Sequence, residues 1–247
     1  MASLTPKAGC CDTLTLQEGK PTGTIQTICS LPAYVAGPLK NESGKYLVIF
    51  TDVYGYKLTN TQLVADEFNN KLGYTVFVPD ILDDDPFDSD SDFEDWFSRH
   101  DPVDTTALCG RFMKKFKAEF KPKYTCAVGY CFGAKYLAQL MNGVEHGVDC
   151  GAFAHPSFVA DDELKAITKP LLISAAETDS IFPRELRFKS EEILAKTGIR
   201  YQIDLFSGVE HGFAVRSDRS DPVVKYAAAK ALSDQIHWFN LFDTTRA

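Results

Sequence analysis

The amino-acid sequence predicts an α/β fold in which a mostly parallel central sheet carries helices on both faces. Three observations lead there. Short apolar runs alternate with segments of helical period; one run passes straight into a glycine-framed turn and an apolar helix; and an acid and a histidine stand just beyond two later runs.

Taken in chain order, the first predicted strand is Tyr46–Thr51 (YLVIFT), and Val64, Phe68 and Leu72 then mark one face of a helix. Tyr74–Val78 (YTVFV) is the next strand. The stretch Pro79–Asp95 is rich in acid and lacks Lys and Arg, so it is expected to be a solvated surface loop, because dense like charges repel and require water. Asp88, Asp90 and Asp92 have the spacing of a calcium loop, but Phe93 stands where that loop needs glycine and Arg99 where it needs glutamate. Leu108, Phe112, Phe116 and Phe120 form one apolar helical stripe. The remaining predicted strands are Thr125–Val128, Gly151–Ala154, Pro170–Ala175 and Tyr201–Phe206, and the remaining helices are Gly133–Met141, Pro183–Lys196 and Pro222–Phe242. No repeat or linker divides the chain, so residues 1–247 are expected to form a single domain, a size at which one large core can be buried.

Composition narrows the function classes. A net charge of −8 disfavours nucleic acid and anionic membrane as partners, since a phosphate-binding surface needs clustered Lys and Arg, and it leaves a small molecule as the expected partner. Homo-oligomerisation stays open. The N-terminus has neither the basic region nor the apolar stretch of a signal peptide, and no apolar run is long enough to span a bilayer, so a cytoplasmic location is expected. The seven cysteines show no CxxC pair and no His spacing for zinc, hence no metal is expected. Cys29, Cys109, Cys126 and Cys150 are read as small buried hydrophobes.

Cys131 is different because it is the centre of Gly129-Tyr130-Cys131-Phe132-Gly133, set between a strand and a helix. A nucleophile on so sharp a strand-to-helix turn needs small residues two before and two after it, where side chains would strike backbone. The turn aims the thiol outward above a helix N-terminus, whose dipole favours thiolate. Acid and base should then follow in that order on later strand ends. Asp179, in Ala176-Glu177-Thr178-Asp179-Ser180, is the expected acid, with Glu177 as its rival; His211, in Ser207-Gly208-Val209-Glu210-His211-Gly212-Phe213, is the expected base. The backbone N–H groups of Phe132 and Val53 are the expected oxyanion donors. His155, after the run GAFA, approaches the same edge and is read as shaping the site. His100, His146 and His237 are accounted for by surface or satisfied-core roles.

With these residues assembled, the sequence resembles the dienelactone hydrolase family in its fungal-type branch. The resemblance covers nearly the whole chain: Cys10-Cys11, EGKPTG at 18–23, DVYG at 52–55, VPD at 78–80, GYCFGAK at 129–135, AHPS at 154–157 and HGFAVR at 211–216. It implies an α/β-hydrolase fold without a large cap, no metal or organic cofactor, and hydrolysis of a small ester or lactone through a thiol acyl-enzyme. It also implies thiol-modulating or substrate-binding roles for Asp52, Tyr54, His155 and Arg216. Two positions depart from the bacterial members: Asp52 stands where they carry a glutamate that holds the resting thiol, and acid replaces an arginine in the loop after Pro79-Asp80. Those acids, if they border the site, disfavour an anionic substrate. A lyase, isomerase or cyclase on the same fold, and a binding or redox protein with a sensitive thiol, are the competing classes.

Overall fold

In the computed structural model, which describes residues 14–245, the alternation read from the sequence becomes one eight-stranded sheet. The strands are β1 (Thr24–Ile28), β2 (Leu31–Ala36), β3 (Lys45–Phe50), β4 (Thr75–Pro79), β5 (Tyr124–Tyr130), β6 (Cys150–Ala154), β7 (Leu171–Thr178) and β8 (Tyr201–Glu210). Their order across the sheet is β1-β2-β4-β3-β5-β6-β7-β8. β2 pairs antiparallel with both neighbours, and every other pairing is parallel. Parallel strands covered on both faces must be apolar on both, which is why β4, β5 and β6 are buried at every residue. β8 closes one edge and is correspondingly more exposed.

The helices are α1 (Thr59–Leu72), α2 (Phe93–Ser98), α3 (Pro102–Phe120), α4 (Gly133–Leu140), α5 (Asp161–Ala166), α6 (Arg184–Leu194) and α7 (Pro222–Leu241). α1 packs on α7, while α3, α4, α5 and α6 touch in succession, so the two groups cover opposite faces of the sheet. The predicted stripe on α3 holds for Phe112 and Phe116, which are both buried, Phe116 meeting Tyr46 and Phe77 and Phe112 stacking on Phe116. Beyond α7, Asp243 accepts from Lys45 Nζ at 2.6 Å and from the Tyr74 hydroxyl at 2.8 Å, which ties the chain's end to the start of β3. Among the described residues no helix is long and apolar enough to cross a membrane.

Several expectations need correction. The β1–β2 hairpin has no counterpart in the reading of the sequence, because its turn places Cys29 and Ser30 at φ 52° and 75° without an Asn-Gly or Asp-Gly signal. Cys29 is accordingly only half-buried, with its thiol 3.7 Å from Glu119 Oε2. The acidic stretch is not uniformly solvated. Ile81, Leu82 and Phe87 are buried, and Asp80 is buried with its carboxylate accepting from the N–H groups of Leu82 and Asp84. Asp83, Asp84, Asp88 and Asp90 face water, and Asp92 caps α2 by accepting from Asp95 N at 2.9 Å. Local hydrogen bonding of Asp80 and Asp92 to backbone therefore offsets part of the expected repulsion. α2 and α5 were not anticipated, and β5, β7 and β8 run two, three and four residues beyond their predicted ends at Val128, Ala175 and Phe206. Cys10 and Cys11 lie outside the described residues.

Candidate active site

The geometry of the site begins with the turn from β5 into α4. Cys131 has φ 50°, a left-handed conformation that costs a side-chain-bearing residue on the order of 1–2 kcal/mol. The flanking glycines make it feasible. A Cβ on Gly129 would lie 2.6 Å from Ala134 Cα, and one on Gly133 would lie 2.1 Å from the carbonyl oxygen of Phe50, its neighbour on β3. The Cys131 N–H donates to the Ala154 carbonyl at 3.1 Å, and its own carbonyl accepts from Ala134 N and Ser157 N at 3.2 and 3.0 Å. The sulfur is thus carried on a turn stitched to the end of β6 and the segment just beyond it.

Asp179 and His211 reach that sulfur through strand register. β7 and β8 pair Ala176 with Phe206, slip at a bulge, and pair again at Thr178 and Glu210. The next residue on each strand is Asp179 and His211, so the two side chains leave the sheet side by side, and His211 N donates to Thr178 O at 3.2 Å. His211 Nδ1 lies 2.8 Å from Asp179 Oδ2, and His211 Nε2 lies 3.2 Å from Cys131 Sγ. Asp179 Oδ1 accepts from the N–H groups of Ile181 and Phe182 at 2.9 and 2.8 Å, which fixes the carboxylate. Glu177, the rival acid, sits at the bulge, is exposed, and accepts instead from Ser207 Oγ and Gly208 N at 2.7 and 2.8 Å. All three central side chains are nearly sealed: Cys131, His211 and Asp179 are 1%, 5% and 7% exposed.

One further group meets the sulfur. Ser157 Oγ lies 3.2 Å from Cys131 Sγ and 3.5 Å from His211 Nε2. Sequence reasoning did not single it out as a site residue, since the only signal was its place in the AHPS tetrapeptide.

Electrostatics favour a protonated imidazole. Burial opposes charge on His211, but the negative Cys131 sulfur and the Asp179 carboxylate outweigh it and push its pKa up to about 9. His155 behaves oppositely. It is fully buried, and burial followed by the charges of His211 and Arg216 holds it well below the usual histidine range. Its ring meets His211 edge-on at 5.1 Å and Phe213 at 5.8 Å, so it backs the base rather than lining an open crevice. Asp52 is also fully buried; burial raises its pKa, and Arg216, the Tyr54 N–H and His211 pull it back. Arg216 is 1% exposed, with its guanidinium 5.6 Å over the Tyr54 ring, and Gly212 leaves it room, since a Cβ there would lie 2.2 Å from Arg216 Nε. Asp52, Tyr54, Arg216, His155 and His211 therefore form one connected group.

Of the two expected oxyanion donors, Phe132 lies at the start of α4 and Val53 in the turn after β3, and both are fully buried. The Val53 carbonyl accepts from Phe87 N at 2.8 Å, which ties that turn to the loop after β4. The apolar residues of this loop region face inward: Phe87 meets Tyr54 at 6.2 Å and Trp96 meets Phe132 at 5.8 Å. His100 is a buried core histidine, its Nδ1 and Nε2 lying 2.8 and 3.1 Å from the carbonyl oxygens of Trp96 and Leu82. Among the described residues, no three or more His, Cys, Asp or Glu side chains are grouped as a metal ion requires.

The chain is 36% identical over 246 residues to hydrolase pyvD of Aspergillus violaceofuscus, covering 98% of this chain and 99% of that protein. It is 30% identical over 247 residues to dienlactone hydrolase 1 of Gibberella moniliformis, covering 94% and 93%. The crystal structure of a dienelactone hydrolase from Anabaena variabilis superposes with a TM-score of 0.65 at 9% identity, covering 90% of this chain and 98% of that one, a likeness of fold. The fold is thus that of the α/β-hydrolases, and the model of the dienelactone hydrolase family matches residues 31–242. A cysteine on a glycine-framed turn, within a chain matched over nearly its whole length, makes this protein a member of the dienelactone hydrolase family.

Proposed function

We propose that the chain is a cysteine-dependent hydrolase of small esters or lactones, with Cys131 as nucleophile, His211 as acid and base, and Asp179 as the group that orients the imidazole. The observation that carries this reading is the unbroken line from Asp179 Oδ2 through His211 at 2.8 Å to Cys131 Sγ at 3.2 Å, set on a strained turn. In the resting state the sulfur is a thiolate and Nε2 bears a proton. The thiolate attacks the acyl carbon and forms the C–S bond while the carbonyl electrons move to oxygen, where the Phe132 and Val53 N–H groups hold the charge. Collapse breaks the C–O bond, and the Nε2 proton passes to the departing alkoxide. Water then attacks the thioester, gives its proton to Nε2, and expels the sulfur to release the carboxylic acid.

No cofactor takes part in this scheme, and the partner is a small molecule rather than nucleic acid or membrane. Asp52, Tyr54, Arg216 and His155 modulate the thiol or bind substrate; their mutual burial supports this. In the loop after β4, Asp83, Asp84, Asp88 and Asp90 face water and Asp80 is buried on backbone N–H groups, while Leu82, Phe87 and Trp96 point inward, which favours a neutral, apolar acyl group over an anionic one. A cytoplasmic setting is in keeping with a thiolate that must stay reduced. A panel of neutral and anionic small esters and lactones, run in ¹⁸O-water, tests the proposal. Hydrolysis should place label in the acid product, and Cys131→Ala should lower kcat by at least about 10³-fold. Product without label, or activity surviving Cys131→Ala, would overturn it.

A further inference from the structure

We infer that Ser157 is a fourth working member of this site, whose hydroxyl donates a hydrogen bond to the resting Cys131 thiolate and so lowers the pH at which the nucleophile forms. The inference rests on the reading of Cys131 as the nucleophile and adds a residue to it.

Its basis is geometric. Sγ of Cys131, Nε2 of His211 and Oγ of Ser157 form a triangle with sides of 3.2, 3.2 and 3.5 Å. Among the described residues, the other two corners are the only hydrogen-bond partners of the Ser157 hydroxyl. The proton count then fixes its direction. Asp179 takes two backbone N–H bonds on Oδ1 and faces His211 Nδ1 with Oδ2, so Nδ1 carries a proton. In the thiolate–imidazolium pair Nε2 carries one as well and cannot accept. The sulfur is then the acceptor left for the hydroxyl, and a donor to an anion stabilises the anion.

The local backbone is built around this contact. Ser157 is 1% exposed and stands between two side-chain-bearing residues in the left-handed region, with φ 39° at His155 and 59° at Phe158. A turn that needed only to leave β6 has no reason to hold two such residues. The strain is held from three sides: His155 N donates to Ser174 O at 2.8 Å, Ser157 N to Cys131 O at 3.0 Å, and Lys135 Nζ of α4 to Phe158 O at 3.2 Å. Lys135 is itself paired with Glu163 of α5 at 2.9 Å. Once the acyl group is on sulfur, the thioester accepts poorly and Nε2 has given up its proton. The same hydroxyl can then turn to Nε2, so one group serves both states.

The test follows alkylation of Cys131 by iodoacetamide against pH, read by mass spectrometry of the Cys131 peptide, in wild type and Ser157→Ala. The acid limb should move about one pH unit upward in the variant, with roughly tenfold slower alkylation below it and equal rates above it. A superimposable profile would overturn the inference. So would a uniform loss at every pH with an unmoved midpoint, which marks a packing role. Because no substrate is involved, the limb decides the role of Ser157 even where the ester and lactone panel is not turned over.

Discussion

The site is assembled from two unlike halves. The strand ends of β5 and β6 supply Cys131 and Ser157 on turns with three side-chain-bearing residues at positive φ, namely Cys131, His155 and Phe158. The ends of β7 and β8 supply Asp179 and His211, neither of which has a positive φ. These two are brought side by side by pairing, since Thr178 and Glu210 stand opposite each other one residue earlier, and two backbone N–H groups fix the carboxylate. Strain is thus concentrated on the turns that carry the sulfur and Ser157, and ordinary register suffices for the imidazole and the carboxylate that orients it. The contrast teaches that the first half should be sensitive to backbone changes, and the second to side-chain chemistry.

Breaking the second half should have the largest effect. Asp179→Asn keeps the shape but favours the wrong imidazole tautomer, and kcat should fall by about 10³ to 10⁴-fold with little change in unfolding midpoint. Glu177→Gln, two residues away on the bulge, should change kcat by less than about twofold, because its partners are Ser207 and Gly208 rather than the base. The reverse ranking in steady-state kinetics would move the orienting role to Glu177.

Backbone change in the first half comes next. Gly133→Ala drives a methyl to 2.1 Å from the Phe50 carbonyl oxygen, so α4 must move off β3. A loss of about 3–5 kcal/mol in urea denaturation is expected, together with loss of activity. The smallest effect sharpens the claim of strain at β6. Phe158→Gly and Phe158→Ala lose the same ring contacts with Phe97 and Phe132, but glycine adopts φ 59° without penalty. The glycine variant should therefore be more stable than the alanine variant by about 1 kcal/mol, and equal midpoints would show that the turn carries no strain.

The same division explains what could be read from the sequence. β3 to β7 were legible because strands buried on both faces are continuous apolar runs, and Cys131 was legible because its strained turn demands Gly129 and Gly133. Asp179 and His211 were legible from their order after later strands. Ser157 was not, since its turn puts strain on His155 and Phe158 themselves and leaves no glycine to mark it. The β1–β2 hairpin was hidden for the same reason at Cys29 and Ser30. The loop after β4 was misread because charge is conspicuous in a sequence, whereas the burial of Leu82 and Phe87 beside it depends on partners far along the chain.

The bond between Lys45 and Asp243 also bears on how the molecule is made. It joins residues 198 positions apart, and the carboxylate it uses is fully buried. A chain leaving the ribosome amino end first therefore exposes Lys45 and Tyr74 long before their shared acceptor exists. Closing so long a loop carries an entropic cost that only a nearly finished sheet can offset. A product cut short before Asp243 leaves the Lys45 ammonium and the Tyr74 hydroxyl without that carboxylate, and such a chain should be cleared by proteases that a chain carrying Asp243 resists.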